Sequence, residues 1–482
     1  MDAIFLNPPY LKGYSRYSRS PCVTRGGTIY YPLMEIIATA YLEKFGFKAK
    51  VLDAVVDNLS AYEVIKIINE INPQVVCVAT STPSFFNDLN IAENIKKKLP
   101  KIKVFLVGRH VSLVPYESAK FIKNIDGILI KEYYKGCKDI LEGKEKRKVN
   151  GLVFKENENI ILNKYEMLDL KEIPLISPII KRDLNPKKYF YASLRYPYIM
   201  LQHSFSCPFS CTFCEEIFRG LIRHRPNEMT IEEIRYIKKE LPFIKDCLFD
   251  DPTFWYKTKN NEIEDLLNEM ISNNLNFTWS CNLRCDVPLE VLKLMKKAGC
   301  RLCHVGIESL TKKGKDSVNK RITLRQEKEF LENCKKVGIK VHGCFIIGIP
   351  GETNEDIKMT LEKAKKLPLD TIQAFPLIPV PGTVDYVRLK KNGWLITEDY
   401  SKWLKENGKY NCVVSYPWLS KEQIEAWIER YYKEFYFRPK YIVYKIKQSM
   451  NFAELQRNFM AFKSFSKLFL SIPTTRTKYF SN

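Results

Sequence analysis

Three cysteines carry the strongest chemical signal in this sequence. Cys207, Cys211 and Cys214 are spaced Cys-x3-Cys-x2-Cys within Ser206-Cys207-Pro208-Phe209-Ser210-Cys211-Thr212-Phe213-Cys214. Three thiolates on one short loop can wrap three irons of a [4Fe-4S] cubane. No fourth cysteine lies in the run, so the fourth iron is open to another ligand. Zinc is the competing metal, but a structural zinc normally takes four protein ligands. Chance clustering of three core cysteines is the remaining reading, and the tight spacing between a strand and a helix weighs against it.

Elements that could hold such a loop are visible on both sides of it. Strand Ile199-Met200-Leu201-Gln202 leads into the cysteines, and βα alternation continues to about residue 385. Six repeats are expected, with helices at 231–241, 262–273, 289–298, 327–337 and 354–367 between short apolar strands. Special residues gather just after these strands, at the carboxyl ends where α/β barrels place their chemistry. They are Asp250 and Asp251 after the second strand, Glu308 and Ser309 after the fourth, and Gly348, Pro350 and Gly351 after the fifth. A lone Glu308 would be read as a surface or capping residue. Residues 1–142 show the same rhythm, with continuous apolar strands such as Val75-Val76-Cys77-Val78-Ala79. That pattern predicts a doubly wound parallel sheet. Residues 143–195 break it with a charge run, a hairpin at 151–162 and prolines at 174, 178 and 186. The expected organisation is therefore a Rossmann-like domain over 1–142, a hairpin and linker over 143–195, a partial (β/α)6 barrel over 196–390, and a helical region over 391–482.

The cysteine loop, with aromatic Phe213 before the third cysteine, resembles the signature of radical S-adenosylmethionine (SAM) enzymes. The later strand-end residues match that family in order over roughly 190 residues. The resemblance implies that SAM chelates the open iron and is split to methionine and a 5′-deoxyadenosyl radical. That radical then takes hydrogen from an unactivated carbon. Phe213, Asp250, Asp251, Glu308, Ser309, Gly348 and Pro350 are implied to hold SAM, with the glycines at 348 and 351 letting backbone approach its adenine. An electron donor of ferredoxin or flavodoxin type is implied as a partner.

Asn7, Ser81-Thr82 and Gly108-Arg109-His110 each follow an expected strand of the first domain. The domain resembles the cobalamin-binding unit found ahead of one branch of radical SAM proteins, with Asn7, Ser81, Thr82, Gly108 and His110 beneath the corrin. Two departures stand out. The Asp-x-His-x-x-Gly motif is absent, so no histidine lower ligand to cobalt is expected. His110 follows one glycine where the family has two, and the family's Gly-Glu-Gly appears as Lys131-Glu132-Tyr133. The competing reading is a Rossmann-like domain that only shapes the substrate site, with His110 a plain structural histidine.

The chain has 14 cysteines in all. Cys281 and Cys285, with Cys300 and Cys303, could form an auxiliary cluster. Their placement in buried strands favours simple packing as small hydrophobes. Cys285 is also a candidate catalytic thiol that returns a hydrogen atom to a product radical.

Composition bounds the class. At 45% apolar and 27% charged, the chain reads as a folded soluble protein, with no window apolar enough to span a membrane. The N-terminus lacks a basic leader, so a cytoplasmic location is expected. Net charge +22 favours an anionic partner or reflects a solvated basic surface. Between Lys433 and Lys478 basic and aromatic residues interleave, and Phe452, Leu455, Phe459, Phe462, Phe465 and Phe469 recur on one helical face. Such a helix can lie on an anionic membrane, or be an ordinary core-facing helix. The tail resembles those of lipid- and tetrapyrrole-modifying radical enzymes. This leads to an expectation of carbon–carbon bond formation on a membrane lipid or isoprenoid, at the inner face of the membrane. The rivals are a cobalamin-dependent radical C-methyltransferase, a methylthiotransferase acting on RNA, and a non-enzymatic cluster protein. With no RNA-binding module visible, nucleic acid is not expected.

Overall fold

The computed structural model describes residues 1–448. Its first sheet contains β1 (Ala3–Asn7), β2 (Ala49–Asp53), β3 (Val75–Thr80), β4 (Lys103–Gly108), β5 (Gly127–Leu129), β6 (Leu152–Glu156) and β7 (Asn159–Leu162). The spatial order is β2-β1-β3-β4-β5-β6-β7. The first five strands are parallel and the last two antiparallel. β1 and β3 are buried at every position, because helices cover both faces. Helix α1 (Leu33–Lys44) packs on one face, and α2 (Ala61–Ile71) and α3 (Phe85–Lys98) pack on the other. Helix α2 begins at a reciprocal Ser60–Glu63 capping box.

The hairpin at 151–162, expected within a linker, instead extends this sheet. Ile128 pairs with Val153 and Leu129 with Leu152, and Leu152, Val153 and Phe154 are buried there. An apolar edge strand gains more by covering β5 than by standing alone.

The second sheet runs in sequence order: β8 (Tyr198–Leu201), β9 (Asp246–Phe249), β10 (Trp279–Leu283), β11 (Cys300–Glu308), β12 (Lys340–Ile347) and β13 (Thr371–Pro376). All neighbours are parallel. The intervening helices are α4 (Asn227–Glu240), α5 (Glu262–Ser272), α6 (Leu289–Lys297), α7 (Leu324–Val337) and α8 (Asn354–Lys366). This is the six-repeat partial barrel the sequence implies. Burial alternates along β12 and β13, half-buried then buried, so one face of each strand lines a lumen. His304, His342, Tyr191 and Tyr30 meet in that lumen. His304 and His342 rings lie 5.3 Å apart, Tyr191 stands 5.2 Å from His304, and the Tyr30 and Tyr191 hydroxyls are 2.9 Å apart.

Three further helices follow: α9 (Val384–Lys391), α10 (Lys421–Tyr436) and α11 (Pro439–Gln448). Part of the aromatic start of the basic tail packs inward, with Phe435 and Tyr441 buried, whereas Phe437, Ile442, Val443 and Tyr444 are exposed. Tyr432 and Tyr436 straddle the outer edge of β13. The Tyr436 hydroxyl accepts from Ile372 N at 2.9 Å and donates to Ile372 O at 2.6 Å. Tyr432 does the same at Ala374, at 3.1 and 3.3 Å. An edge strand presents unpaired backbone groups, and these hydroxyls supply both partners. Tyr441 adds a bond to Asp370 O at 2.7 Å. The phenylalanine stripe from Phe452 to Phe469 lies outside the described residues. Among the described residues, no helix is long and apolar enough to cross a membrane.

The two sheets share one core. Ala3, Phe5, Val51, Cys77 and Phe105 of the first join Ile199, Leu248, Trp279, Val305 and Val341 of the second in a single apolar cluster.

Candidate active site

The cysteine loop leaves β8 and is clamped by segments that follow three other strands. Thr212 N donates to Val318 O at 3.2 Å and Thr212 O accepts from Asp385 N at 3.1 Å. The Thr212 hydroxyl donates to Asp385 at 2.8 Å. Asn319 donates to the Ser210 carbonyl and hydroxyl, each at 3.0 Å. The Arg284 guanidinium lies 3.5 Å from the Phe209 ring centroid. Cys207, Cys211 and Cys214 are half-buried free thiols. Burial pushes the Cys207 thiol up and the Cys214 thiol to about 12, a cost that metal binding removes by taking the thiolate. The donor set fits an iron–sulfur cluster: three soft ligands on one loop held from several sides. Phe213 packs its ring against the core.

Two acidic positions follow the same ends. Asp250 accepts from Asn282 Nδ2 at 3.1 Å. Asp251 Oδ1 accepts from His203 N at 2.8 Å, while its Oδ2 is buried with no partner. Burial pushes Asp251 up to about 8. An orphaned carboxylate oxygen beside the cysteine loop fits a cationic or hydrogen-donating ligand such as SAM. Glu308 ends β11 at φ +62 and forms a buried ion pair with Lys320 at 2.8 Å. A Cβ on Gly306 would run into both partners of that pair, so glycine there makes room for it. Ser309 turns away from this group and donates to Glu352 at 2.7 Å, joining the ends of β11 and β12.

Gly348 has a different role from the one expected. It sits at φ +84, and a Cβ there would lie 2.7 Å from Ile424 Cδ1 of α10. Its carbonyl accepts from Tyr416 at 2.7 Å. The close approach that requires glycine is to a helix. Pro350 O accepts from Ser317 at 2.7 Å.

The expected cobalamin residues are brought together but are bonded within their own domain. Asn7 donates to Asp53 at 2.7 Å and accepts from Arg16 at 2.9 Å. Ser81 meets Tyr14 at 2.8 Å and Ser84 at 2.7 Å. Thr82 meets His110 at 3.1 Å. The His110 ring is buried between Phe85 and Tyr400, at 4.5 and 5.1 Å, and burial lowers it to about 3. It is a packed neutral imidazole, in keeping with the absent histidine motif. Gly108 makes the turn into Arg109 at φ +109. Lys131 adopts φ +58, so the left-handed conformation survives where the family's glycine is missing. Glu132 ties the domains by accepting from Arg223 at 2.7 Å.

The open wall on this side is made by Arg19 and Arg109, whose side chains are 38% and 35% exposed. Arg109 reaches Glu215, next to Cys214, at 2.9 Å. Arg19 donates to the Asp251 carbonyl at 2.6 Å. The strand ends of the two sheets thus face one charged cleft. Guanidinium donors at this rim fit the amide periphery of a corrin. Sequence reasoning missed Arg19, Asn282 and Lys320. Asn282 follows an expected strand end and was findable, whereas Arg19 and Lys320 act through folds of the chain that no local spacing reveals.

Cys285 is completely buried, and burial pushes its thiol well up. Cys281, Cys300 and Cys303 come together without it.

Comparison with known proteins agrees with this fold. Residues 201–364 match the radical SAM superfamily, and residues 22–132 match the B12 binding domain. An uncharacterized methyltransferase of Pyrococcus horikoshii is 28% identical over 412 residues, covering 84% of this chain and 87% of that protein. The anaerobic magnesium-protoporphyrin IX monomethyl ester cyclase of Rubrivivax gelatinosus is 23% identical, covering 76% of this chain and 66% of the cyclase. Among solved structures, the radical SAM methyltransferase TsrM of Kitasatospora setae, with cobalamin and a [4Fe-4S] cluster bound, superposes with a TM-score of 0.71. It is 13% identical, with 97% of this chain and 100% of that one covered.

Proposed function

We propose that this chain, a radical SAM enzyme with a B12 binding domain ahead of its radical domain, is a cobalamin-dependent methyltransferase. One observation carries the reading: the strand ends of both sheets open on a single cleft, bridged by Arg109 and Glu215 beside the cysteine loop. A methyl carrier on one wall and a radical source on the other would address the same substrate atom. The likeness to the Pyrococcus methyltransferase supports it.

When bound, the cluster and cobalamin supply the electron that splits SAM and the methyl group that is transferred. The chain's own residues hold, orient and enclose. Cys207, Cys211 and Cys214 take the irons, and Asp385, Asn319 and Arg284 fix their loop. Asp251 and Asp250 offer acceptors for the amino group of SAM. Glu308 is held by Lys320 where a ribose hydroxyl can donate to it. Arg19 and Arg109 hold the corrin edge. The hydroxyls and imidazoles of Tyr30, Tyr191, His304 and His342 line the lumen, which suits a polar or aromatic substrate better than a hydrocarbon chain. The lipid cyclisation expected from the tail is therefore replaced by methyl transfer.

The test needs no known substrate. The reconstituted, reduced holoprotein is given SAM labelled in its methyl group. Label on the protein-bound cobalamin, with S-adenosylhomocysteine released, is expected. Release of 5′-deoxyadenosine without any label on cobalamin would refute methyl transfer while leaving radical chemistry in place.

A further inference from the structure

Three buried thiols meet on the helix-covered face of the second sheet. Asn282 and His304 are registered partners whose side chains face the cleft and lumen. Cys281 and Cys303, the registered pair one residue earlier, therefore face the helices. Cys300 would point the other way in a regular strand, being three residues from Cys303. A register shift prevents this: Trp279 pairs with Cys300 and Ser280 with Leu302, leaving Arg301 as the extra residue of a bulge. Arg301 is anchored outside the group by Asp246 at 2.7 Å and Ser193 O at 2.8 Å. The bulge turns Cys300 onto the face of Cys303.

The three Sγ atoms all lie within 4.8 Å of one another, with Cys300 and Cys303 at 3.9 Å. Each residue is at most 1% exposed. Zinc–sulfur bonds of ~2.3 Å in a tetrahedron place sulfurs about 3.8 Å apart. Simple packing of small hydrophobes would not need a bulge to bring three sulfurs within 4.8 Å of one another. A fourth thiol, Cys334 of α7, is fully buried on a helix that packs against α6 and β12; its Sγ lies outside the 4.8 Å group and would have to close on it to complete a four-thiolate set. The group is closed off from the surface, which suits a closed structural site rather than a catalytic one.

We propose that Cys281, Cys300, Cys303 and Cys334 bind one Zn²⁺ ion as a structural site separate from the cysteine loop. It would pin the start of β11 to β10 and α7, beneath the strands that carry Asn282 and Glu308.

The test uses the full chain with Cys207, Cys211 and Cys214 replaced by alanine, so that the loop binds no iron. Metal content of the purified protein is measured, and Co²⁺ is then exchanged in. Stoichiometric zinc is expected, together with intense ligand-field bands of tetrahedral thiolate cobalt. A further Cys303→Ser change should abolish both, and Cys334→Ser should weaken the cobalt spectrum to that of a three-thiolate set. Should Cys303→Ser fail to fold, zinc content of the parent variant decides alone. Absence of stoichiometric zinc from the folded parent, or iron and sulfide in its place, overturns the proposal.

Discussion

Gly348→Ala separates two accounts of the same glycine. The sequence suggests room for an adenine, and the structure shows room for Ile424. An alanine at φ +84 costs about 1–2 kcal/mol in left-handed backbone. Its Cβ would also sit 2.7 Å from Ile424 Cδ1, an overpacking cost of about 1–3 kcal/mol. The sum, about 2–5 kcal/mol, should lower the melting temperature of the full chain by roughly 2–5 °C. Ile424→Val removes the clashing Cδ1 and alone costs about 1 kcal/mol. The double variant should therefore be no less stable than Gly348→Ala, a coupling of about 1 kcal/mol against additivity. Thermal scans of the four proteins measure this. The reasoning is refuted if Gly348→Ala melts with the parent while its SAM cleavage falls, because the glycine then faces the cofactor after all.

Other outcomes follow from neighbouring contacts. Lys320→Met strands the Glu308 carboxylate in a buried site and should cost about 3–5 kcal/mol at neutral pH; adding Glu308→Gln should restore most of it, as read by denaturant midpoint. Burial raises Glu35 to about 7, so the folded state holds its proton longer than the unfolded chain does. Its contribution is complete at low pH and is lost as pH rises from about 4.5 through 7. Glu35→Gln should flatten that slope by at most about 1.4 kcal/mol per pH unit, in melts across that range. Arg109→Ala breaks a partly exposed pair worth at most about 1 kcal/mol, so the fold should survive while cobalamin washes off on desalting. Cys211→Ala should lose the broad visible absorption of the reconstituted cluster and all 5′-deoxyadenosine release.

Much of the architecture is local and was readable. Runs such as Val75–Thr80 declare buried parallel strands, and Cys207 to Cys214 declare a metal loop by spacing alone. What escaped depends on distant chain returning. Leu152–Phe154 reads as an isolated hairpin until β5 offers it an edge. Tyr14 and Arg16 fill the strand ends beside Asn7 and Ser81 from a loop whose composition shows no such purpose. Tyr400, nearly 300 residues from His110, settles that histidine's surroundings. The basic, aromatic segment near Tyr432 and Tyr436 has the composition of a membrane helix, but its hydroxyls bond a strand edge, which periodicity cannot distinguish.

Those edge tyrosines limit how the enzyme can meet a partner. An uncapped last strand would let an extended peptide join the barrel as a seventh strand, gaining main-chain affinity without regard to side chains. With the backbone of Ile372 and Ala374 already answered from α10, that route is closed. Strand addition at β13 is thus unavailable to a peptide, whatever its side chains.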